Sequence, residues 1–474
     1  MLTKTDFLLY LDAPMHLWAA AHNQLETKPP TLHEQHLTWQ GQQVESLGRI
    51  YLEDVLLPHY TNAQLIWQPP YETSRFKIRA DALIHDQDTK AYDLYEIKSS
   101  TSINKQHKYD LTFQVLVLET ILNLRNVYLL HIDKTYLHQD SLAIEKFFMV
   151  ENLTETVEKY RDEVDILREQ ACEIAQMAVP QQNFACTKPR SCPCLELCHP
   201  QIPENPIYNI PYIGKKAIQL REMGIKAIED IPNSFHLNTT QRKHYQAVKS
   251  GQPIVSPQVI QALLTNLQYP IYFLDYETFN PAIPLFPGYH PYEHIVYQYS
   301  LHVINHPGAK PQHFDCLLTE PKDPIPILVP DLFDHLGPQG SVVVWNQSFE
   351  AQRNKDMAKH CPQYAQQLLH VNERLYDLML IFKEGHYVHP DFHGSASLKA
   401  VLPVLCPELQ YKNMVISNGE ETMLTWYRFQ TGNIPIENQA EIKEAMKEYC
   451  KMDTFGMIAI MEKLSETIRN YDGS

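Results

Sequence analysis

The sequence lacks any uninterrupted apolar run long enough to cross a membrane, and it lacks a recognisable secretory leader. No stretch approaches the roughly eighteen consecutive apolar residues that a spanning helix requires. The first residues, MLTKTDFLLYLDAPMH, carry neither a basic leader nor a small-residue cleavage site. We therefore expect a cytoplasmic protein with no membrane partner.

An excess of basic residues is also missing. The formal net charge is −16, from 40 Lys and Arg against 56 Asp and Glu. This balance argues against a protein that holds nucleic acid on a broad basic surface, because such affinity comes from neutralising phosphates. It leaves a nucleic-acid enzyme open, since carboxylates that bind divalent cations add negative charge and the bound metal reverses the local sign.

Internal repeats and low-complexity tracts are absent as well, so the 474 residues should fold as ordinary globular domains. Residues 75–85 and 92–99 predict a β-hairpin, and residues 108–123 and 151–178 carry helical spacing. A proline-rich passage from Pro200 marks a boundary. The sequence thus predicts an α/β domain over 1–200, a helical linker over 201–264 and a second α/β domain over 265–474.

The predicted linker contains KKAIQLREM, then Gly224-Ile225, then KAIEDIP. This pattern fits either a plain linker helix or a helix-hairpin-helix whose amides contact a phosphate. A second helical pair follows it. The last domain is predicted to contain strands at 271–279, 296–304 and 341–346 and helices at 350–370, 372–382 and 438–468.

Acidic residues in the last domain have spacings suited to metal binding. Asp275 and Glu277 stand two apart on the strand IYFLDYETF, so both face the same side. Glu350 follows the strand SVVVWN at the start of a helix, where the helix dipole favours an acid in any case. Tyr449 and Asp453 stand four apart on one helix face, so a phenol could orient water beside a metal-bound carboxylate.

This ordered set resembles the DEDDy subclass of DnaQ-like exonucleases, which have an RNase H-like fold. The order D-x-E, then N-x-x-F-acid, then Y-x-x-x-D matches. The resemblance implies that Asp275, Glu277, Glu350 and Asp453 hold two Mg²⁺ or Mn²⁺ ions and that Tyr449 positions the attacking water. Two cations clamp the attacking and leaving oxygens of a phosphodiester displacement. The family usually has aspartate where this chain has Glu350, so the longer side chain could alter the metal spacing.

The predicted hairpin of the first domain carries the pattern D-x14-E-x-K, formed by Asp81, Glu96 and Lys98. Acids of this kind bind Mg²⁺, and the lysine stabilises the hydroxide and the charged transition state. With Glu45 upstream and Gln114 in the helix YDLTFQVLVLE, the set resembles the PD-(D/E)XK nucleases of the RecB type. That resemblance implies a second nuclease site, in which Asp81, Glu96 and Glu45 bind the metal and Gln114 contacts the substrate.

Four cysteines fall within thirteen residues: Cys186, Cys192, Cys194 and Cys198. Their density indicates metal ligation. The cluster resembles the iron–sulfur clasp of RecB-like nucleases, which takes a further cysteine from the segment corresponding to LLYLDAPMHLW. Because Ala13 stands in that segment, three alternatives remain: Cys194 replaces the missing ligand, Zn²⁺ replaces a 4Fe–4S cluster, or the clasp is broken. Cys172 is interpreted as a buried small hydrophobe.

Several segments, from LDYETFNPAIPLFPGYHPYEHIVYQYSLH to YCKMDT, resemble a bacterial family called domain of unknown function 2779. Its members look like RecB-type nuclease domains fused to DnaQ-like exonucleases. The resemblance implies that the helix in GSASLKAVLP lines the exonuclease cleft, where Ser397 and Lys399 contact the substrate strand. Lys399 could equally be a solvated charge. Asp377 is expected to cap the helix 372–382, with a role in holding the acidic site as the alternative. His386, His389 and His393 are not expected to be catalytic.

The sequence therefore predicts a metal-dependent nuclease, a 3′–5′ exonuclease that acts on DNA in preference to RNA. The main alternative is a nucleic-acid-binding or scaffold protein that keeps both folds but has lost cleavage, an alternative that Glu350 and Ala13 favour. A third hypothesis is a metal–thiolate regulator in which the cysteines sense redox state.

Overall fold

The computed structural model describes residues 1–25, 29–180 and 189–472 of the chain. Helices and several β-sheets alternate along it, so the predicted α/β class is confirmed. The described residues cluster into two compact units. The first unit is Met1–Gln201 with Pro281–Glu293, and the second is Ile202–Asn280 with His294–Ser474. None of the described helices combines the length and the apolar content needed to cross a bilayer.

The first unit contains eight strands and seven α-helices among its described residues. The strands are β1 (Leu2–Thr3), β2 (Ala63–Trp67), β3 (Pro70–Glu72), β4 (Phe76–Arg79), β5 (Ala82–Asp86), β6 (Ala91–Lys98), β7 (Leu124–Ile132) and β8 (Phe148–Asn152). The helices are α1 (Lys4–Asp12), α2 (Pro14–Ala21), α3 (Leu32–Ile50), α4 (Lys105–Leu118), α5 (Ile144–Phe147), α6 (Thr154–Gln176) and α7 (Leu195–Cys198).

A five-stranded sheet with the order β2-β5-β6-β7-β8 forms the centre of this unit. The antiparallel pair β5/β6 confirms the predicted hairpin. Strand β7 is parallel to β6, and α4 makes the crossover that a parallel pair requires. The predicted strand 75–85 is interrupted at Ala80–Asp81, because β4 pairs in a separate small sheet with β1 and β3.

The predicted helix 151–178 is wrong at its first residues. Phe148–Asn152 form β8, which pairs with β7, and α6 begins only at Thr154. This difference arises because strand pairing with a distant segment overrides the local helical pattern.

Both faces of the five-stranded sheet are covered. On β6, Leu94 packs in the cluster that includes Phe7 and Phe113, whereas Tyr95 and Ile97 pack in the opposite cluster with Val44. Helix α3 lies close to this second face, because a Cβ built on Gly48 would be only 2.8 Å from Ile97 Cδ1. The alternation leaves Glu96 and Lys98 on the face that α4 covers.

The second unit contains seven strands and ten α-helices among its described residues. The strands are β9 (Ile254–Val255), β10 (Ile271–Phe279), β11 (Ile295–Ile304), β12 (Gln312–Leu317), β13 (Ser341–Val344), β14 (Leu375–Asp377) and β15 (Tyr387–Val388). The helices are α8 (Lys215–Glu222), α9 (Thr239–Ser250), α10 (Pro257–Thr265), α11 (Ile325–His335), α12 (Gln347–His360), α13 (Ala365–Glu373), α14 (Leu380–Lys383), α15 (Leu398–Leu405), α16 (Gly419–Gln430) and α17 (Gln439–Asp472).

A mixed five-stranded sheet with the order β12-β11-β10-β13-β14 organises the second unit. Strand β11 is antiparallel to both of its neighbours, whereas β10, β13 and β14 are parallel to one another. The three predicted strands are confirmed as β10, β11 and β13, and α17 confirms the last predicted helix.

Two other helix predictions in this unit are wrong in part. The predicted helix 350–370 is broken into α12 and α13, with Pro362 in the interruption. The predicted helix 372–382 contains the short strand β14, which pairs with β13, and it is helical only at the end of α13 and in α14. A three-residue strand depends on its partner strand, so the local sequence carried little signal for it.

The helix-hairpin-helix alternative is wrong. KKAIQLREM forms α8, but KAIEDIP is not helical, and its Ala227 makes an isolated bridge with Pro206. Ile228 and Ile231 from this segment are buried against Leu220 of α8. The plain linker-helix alternative therefore describes α8, which belongs to the second unit.

Candidate metal sites

The first candidate site lies on β10, the middle strand of the sheet in the second unit. Asp275 and Glu277 face the same side, and Tyr276 points to the other side, where its hydroxyl donates to Asn354 at 2.9 Å. The neighbouring residues on β11 are Ser300 and Gln298. Both acids therefore project from the same sheet face as these two polar side chains.

Helix α17 is hydrogen-bonded to that sheet face at two points. Gln298 Nε2 donates to the carbonyl of Met446 at 3.1 Å, and the hydroxyls of Ser300 and Thr454 are 2.8 Å apart. These contacts lie on either side of Tyr449, Cys450 and Asp453 in the sequence. The helix therefore presents those three side chains to the acids of β10.

The acids and the thiol lie within ligand distance of one another. Oxygens of Asp275 and Glu277 and the sulfur of Cys450 all lie within 4.8 Å of each other. The Cys450 thiol donates to Asp275 Oδ2 at 3.5 Å. Asp453 accepts a hydrogen bond from the hydroxyl of Tyr411, which orients its carboxylate. Cys450 and Tyr411 are site residues that the sequence interpretation missed.

Tyr449 and Lys399 also reach this site. A Cβ built on Gly419 would lie 3.9 Å from both Glu277 Oε2 and the Tyr449 hydroxyl, so both oxygens lie beside Gly419. The ammonium of Lys399 lies 5.0 Å from the ring centre of Tyr449 and 5.5 Å from that of Tyr411. Lys399 is exposed, so it can meet a ligand that enters from solvent.

Glu350 lies in the first turn of α12 and is only 2% exposed. Its Oε2 atom is buried and has no hydrogen-bond partner within the part of the chain that is described. Burial raises its pKa well above the usual value, and the nearby charge of Asp275 raises it further. A buried carboxylate oxygen without a partner is costly unless a cation accompanies it. The residues present therefore fit a divalent cation.

The pKa shifts of the other three acids also indicate a cation site. Burial, followed by repulsion from Asp453, raises the pKa of Asp275 well above its usual range. Burial and the charge of Asp275 do the same for Glu277, and burial raises the pKa of Asp453 to about 6. The charge of Lys399 lowers all three values. A bound divalent cation would supply the positive charge that this site needs.

Two other predicted residues have hydrogen-bond partners of their own, and the charge of one of them, Asp377, adds to the rise in the pKa of Glu350. Ser397 is the N-cap of α15 and accepts a hydrogen bond from the Ser395 hydroxyl at 3.1 Å, so a substrate contact remains a prediction. Asp377 accepts from the backbone amides of Asn346, Gln347 and Met379. It therefore caps the start of α12, and the prediction that it caps a helix over 372–382 is wrong.

The histidine run has local partners. His386 Nε2 lies 3.2 Å from a Glu384 oxygen, and His389 Nδ1 lies 3.7 Å from an Asp391 oxygen. His393 adopts a left-handed backbone conformation with φ of 47°. The expectation that these residues are not catalytic stays a prediction.

The second candidate site lies in the first unit, where β5 and β6 meet α4. Ala82 is paired with Tyr95, so the preceding residue Asp81 stands opposite Glu96, and Asp81 Oδ2 accepts from the backbone amide of Ile97 at 2.8 Å. Gln114 Nε2 donates to Glu96 Oε2 at 2.9 Å. The structure thus brings together Asp81, Glu96, Lys98 and Gln114, as the sequence predicted.

Two further residues complete this second site. Lys98 Nζ lies 2.7 Å from Glu96 Oε1 and 2.8 Å from Asp110 Oδ2. Lys4 Nζ lies 2.6 Å from the same Glu96 oxygen and 3.4 Å from the same Asp110 oxygen. Asp110 precedes Gln114 by one helical turn, a spacing that the sequence displays. Lys4 is far away in the sequence and carried no such signal.

The charges of this second site compensate one another. Burial alone would raise the pKa of Glu96, but the ammonium groups of Lys98 and Lys4 together hold it below the usual value. Burial would lower the pKa of both lysines, yet Glu96 and Asp110 raise it. Burial and the charge of Glu96 raise the pKa of Asp81 to about 8. The pKa of Asp110 is raised by the same two causes, so a bound cation would stabilise both of these acids.

Glu45 lies next to this site but outside its contacts. Its carboxylate accepts from the side chain of Gln68, whose backbone amide donates to the carbonyl oxygen of Asp81 at 2.9 Å. Glu45 is thus linked to Asp81 through Gln68. Its predicted role as a metal ligand stays a prediction.

Replacing Lys4 with Met should destabilise this second site. The change leaves the buried Glu96 and Asp110 with one ammonium group in place of two, and we expect a local loss of about 1–3 kcal/mol, the usual cost of an unsatisfied buried polar group. Hydrogen exchange of the α4 amides measures this loss. Lys134→Met is the matched control because Lys134 is exposed. Equal α4 protection in both variants would mean that Lys4 does not support the site.

A third cluster contains the thiols of Cys192, Cys194 and Cys198 together with the imidazole of His16. The Sγ atoms of Cys194 and Cys198 are 3.5 Å apart, and Cys192 Sγ is 3.6 Å from His16 Nε2. All four ligand atoms lie within 4.8 Å of one another. The described residues thus include a group that could hold a metal, as predicted for the cysteines. Cys186 lies outside the described residues.

His16 was missed by the sequence interpretation. It follows Ala13 by three residues, in the segment where a further ligand was expected, and a histidine there was the available signal. Ala13 itself separates α1 from α2 and is buried. Cys172 is 6% exposed in the apolar cluster with α6, which confirms it as a buried small hydrophobe.

The fold and these clusters define an α/β protein with carboxylate and thiolate groups suited to metal binding. Residues 272–397 match the sequence model of the family described as "Domain of unknown function (DUF2779)". The chain is 25% identical over 275 residues to "Uncharacterized protein UU173" of Ureaplasma parvum serovar 3 (strain ATCC 700970), a match that covers 53% of this chain and 40% of that protein. No solved structure is significantly similar to the chain.

Proposed function

We propose that the protein is a metal-dependent nuclease whose second unit is a DnaQ-like exonuclease that removes nucleotides from 3′ ends. The observation that carries this proposal is the proximity of four carboxylates from three elements: Asp275 and Glu277 on β10, Glu350 on α12 and Asp453 on α17, whose charges act on one another. The unpartnered buried oxygen of Glu350 supports it most directly. A mixed sheet with the acids on its middle strand supports an RNase H-like fold for this unit.

The donor atoms favour Mg²⁺ or Mn²⁺, because both prefer oxygen ligands. Two such ions, when bound, would stabilise the attacking and leaving oxygens of an in-line phosphodiester displacement. Asp275, Glu277, Glu350 and Asp453 would hold them. The side chain of Glu350 begins in the first turn of α12. Its carboxylate lies close enough to Asp275 for their charges to interact, so the extra methylene is compatible with the proposed site.

Other residues of the site would act on water and substrate. Burial and the charge of Asp453 raise the pKa of Tyr449, so its hydroxyl stays protonated and can donate to an attacking water. Tyr411 orients the Asp453 carboxylate through their hydrogen bond. Lys399, exposed above the rings of Tyr411 and Tyr449, would contact a phosphate of the entering strand.

The first unit would contribute a second, PD-(D/E)XK-type nuclease site. Asp81 and Glu96 would bind Mg²⁺ or Mn²⁺, Lys98 would stabilise the charged transition state, and Gln114 would orient Glu96. We propose DNA as the preferred substrate, RNA as the alternative and the cytoplasm as the location. The third cluster, which contains Cys192, Cys194 and Cys198, would bind Zn²⁺ or a 4Fe–4S cluster.

A second candidate function is nucleic-acid binding without cleavage by the first unit. The observation that favours it is the double ion pair at Glu96, whose Oε1 atom contacts both Lys4 and Lys98. Those contacts satisfy the carboxylate without a metal. Cleavage of an end-free substrate distinguishes the two functions.

Binding of Mn²⁺ to the purified full-length chain tests the proposed metal site. Thermal unfolding should shift upward with Mn²⁺, because a ligand at a hundredfold excess over its Kd stabilises the folded state by about 2.7 kcal/mol. Hydrogen exchange of β10 and α17 should slow in the same samples. Exchange that is insensitive to Mn²⁺ in these two elements would contradict the proposed site.

Replacing Tyr449 with Phe should slow 3′-end cleavage by roughly 100-fold, the lower end of what a positioned acid–base group contributes. Metal binding should be retained, because the hydroxyl donates to water in the proposed mechanism and is not a ligand. Single-turnover cleavage and Mn²⁺-dependent thermal stabilisation measure the two effects separately. Tyr364→Phe is the matched control. A Tyr449→Phe variant with the wild-type rate would remove Tyr449 from the mechanism.

A further inference from the structure

We propose that His16, Cys192, Cys194 and Cys198 form a closed, mononuclear Zn²⁺ site that fastens the N-terminal helices of the first unit to the segment after α6. We call these four residues the thiol–imidazole cluster. The inference is independent of nuclease activity. It assigns His16 as the fourth ligand and leaves Cys186 outside the ligand set.

Distances within the thiol–imidazole cluster match a single ion. Neighbouring ligand atoms are separated by 4.0 Å between Cys192 and Cys194, 3.5 Å between Cys194 and Cys198, and 3.6 Å between Cys192 and His16. Four ligands of one tetrahedral Zn²⁺, each bound at about 2.3 Å or slightly less, lie roughly 3.8 Å apart. The thiolates of a 4Fe–4S cluster bind different irons and stand farther apart. The observed separations therefore favour one ion over a cluster.

The orientation of His16 also suits a metal ligand. Its Nδ1 atom lies 2.6 Å from Asp12 Oδ2, four residues earlier in the sequence and at the end of α1. A proton shared in that contact leaves the lone pair of Nε2 directed at the sulfurs. Histidines that bind metals typically use the other ring nitrogen in this way, because the carboxylate fixes both the tautomer and the ring.

The short helix α7 places two of the sulfurs. Cys194 is its N-cap and Cys198 is its last residue, and the backbone amide of Cys198 donates to the carbonyl of Cys194 at 3.0 Å. Residues four apart in such a turn lie on the same side. Cys192 precedes the turn and faces His16.

Burial indicates a structural role for the ion. The exposed fractions are 5% for His16, 8% for Cys192, 2% for Cys194 and 4% for Cys198. Four protein ligands close the coordination sphere, whereas a catalytic zinc keeps one position open. The Trp18 indole also donates to the carbonyl of Met177 at 2.8 Å, so a second contact joins α2 to the chain just after α6.

Zinc content of the purified full-length chain tests this assignment. We expect about one zinc per wild-type chain, since a structural site holds one ion with four protein ligands. His16→Ala and Cys192→Ser should lose at least four-fifths of that zinc. His16→Cys should retain it because a thiolate can replace the imidazole. Cys172→Ser, His22→Ala and Cys186→Ser are the controls, and all three should keep wild-type zinc.

X-ray absorption at the zinc edge of the wild-type protein gives a test that does not depend on how a variant folds. The expected environment is three sulfurs at about 2.3 Å and one nitrogen at about 2.0–2.1 Å. Four sulfurs, with zinc lost from Cys186→Ser and kept in His16→Ala, would assign the fourth position to Cys186. Iron with the brown absorbance of an iron–sulfur cluster in protein purified without oxygen would also overturn the proposal.

Discussion

Replacing Asp275 with Asn should abolish 3′-end degradation, with a fall in the cleavage rate of about 1,000-fold or more. Metal ions contribute several kcal/mol of transition-state stabilisation, and each 1.36 kcal/mol corresponds to a factor of ten. Asp275 is the residue whose charge acts on both Glu277 and Glu350, so its carboxylate stands between the others. Loss of its charge should therefore impair the whole metal site.

The same substitution has a second signature, in stability. Burial and the charge of Asp453 raise the pKa of Asp275, so its ionised form opposes folding at neutral pH. Asparagine removes that charge and keeps the shape. Without added metal, the variant should unfold at the same temperature as the wild type or higher, and it should lose the upward shift that Mn²⁺ produces.

The control for Asp275→Asn is Glu320→Gln, a neutralisation at an exposed position of the same unit. Cleavage rate and Mn²⁺-dependent stabilisation should both be unchanged in this control. An Asp275→Asn protein that is markedly less stable without metal would mean that its carboxylate has a structural partner. Wild-type cleavage by a well-folded Asp275→Asn protein would exclude Asp275 as a metal ligand.

Replacing Lys98 with Met should lower internal cleavage by about 100-fold or more, the cost of removing one group that stabilises developing charge. The substrate for this measurement is covalently closed circular single-stranded DNA, because it has no 3′ end. The protein with Lys98 and the Lys98→Met variant should both also carry Asp275→Asn. The linear products are then not degraded from their 3′ ends and can be counted. The 3′-end activity, measured with Asp275 intact, should be unaffected by Lys98→Met.

Lys134→Met serves again as the control for Lys98→Met, because it removes an exposed ammonium from the same unit. Lys98 also pairs with Glu96 and Asp110, so hydrogen exchange of α4 must accompany the rate measurement. Circular DNA left intact by the wild-type chain would favour the second candidate function, in which the first unit binds without cutting. Equal cutting by Lys98→Met and Lys134→Met would exclude Lys98 from catalysis.

Much of the candidate site in the second unit could be predicted because its residues sit in strong local patterns. Asp275 and Glu277 interrupt an apolar strand, and Tyr449 and Asp453 share one helix face. Periodicity places such pairs without knowledge of the tertiary fold. Glu350 followed a predicted strand, and its burial appears only once α12 is packed.

The missed residues depend on contacts between distant segments. Lys4 meets Glu96 from 92 positions away, and Tyr411 meets Asp453 from 42 positions away. His16 approaches Cys192 across 176 positions. Local periodicity carries no information about such pairs, and the helices that bear Lys4 and His16 are placed by apolar packing against α4 and α6.

The fold errors have related causes. The strand that ends before Asp81 reads as continuous in the sequence, but its two halves pair in different sheets. That interruption lets the Asp81 carboxylate accept from the Ile97 amide. Strand β14 is too short to carry its own pattern and is defined by its pairing with β13. In both cases a tertiary partner decides the local structure.

Cleavage of end-labelled single-stranded DNA with Mn²⁺ tests the central claim most directly. We predict that the wild-type chain releases a 3′ label at once as a mononucleotide and shortens a 5′-labelled strand to a ladder, and that Asp275→Asn does neither. Parallel reactions with labelled RNA decide the preferred polymer. The proposal that this site is a nuclease would be contradicted by two results together. DNA and RNA would both stay intact with either Mg²⁺ or Mn²⁺, and hydrogen exchange in β10 and α17 would be unchanged by either metal.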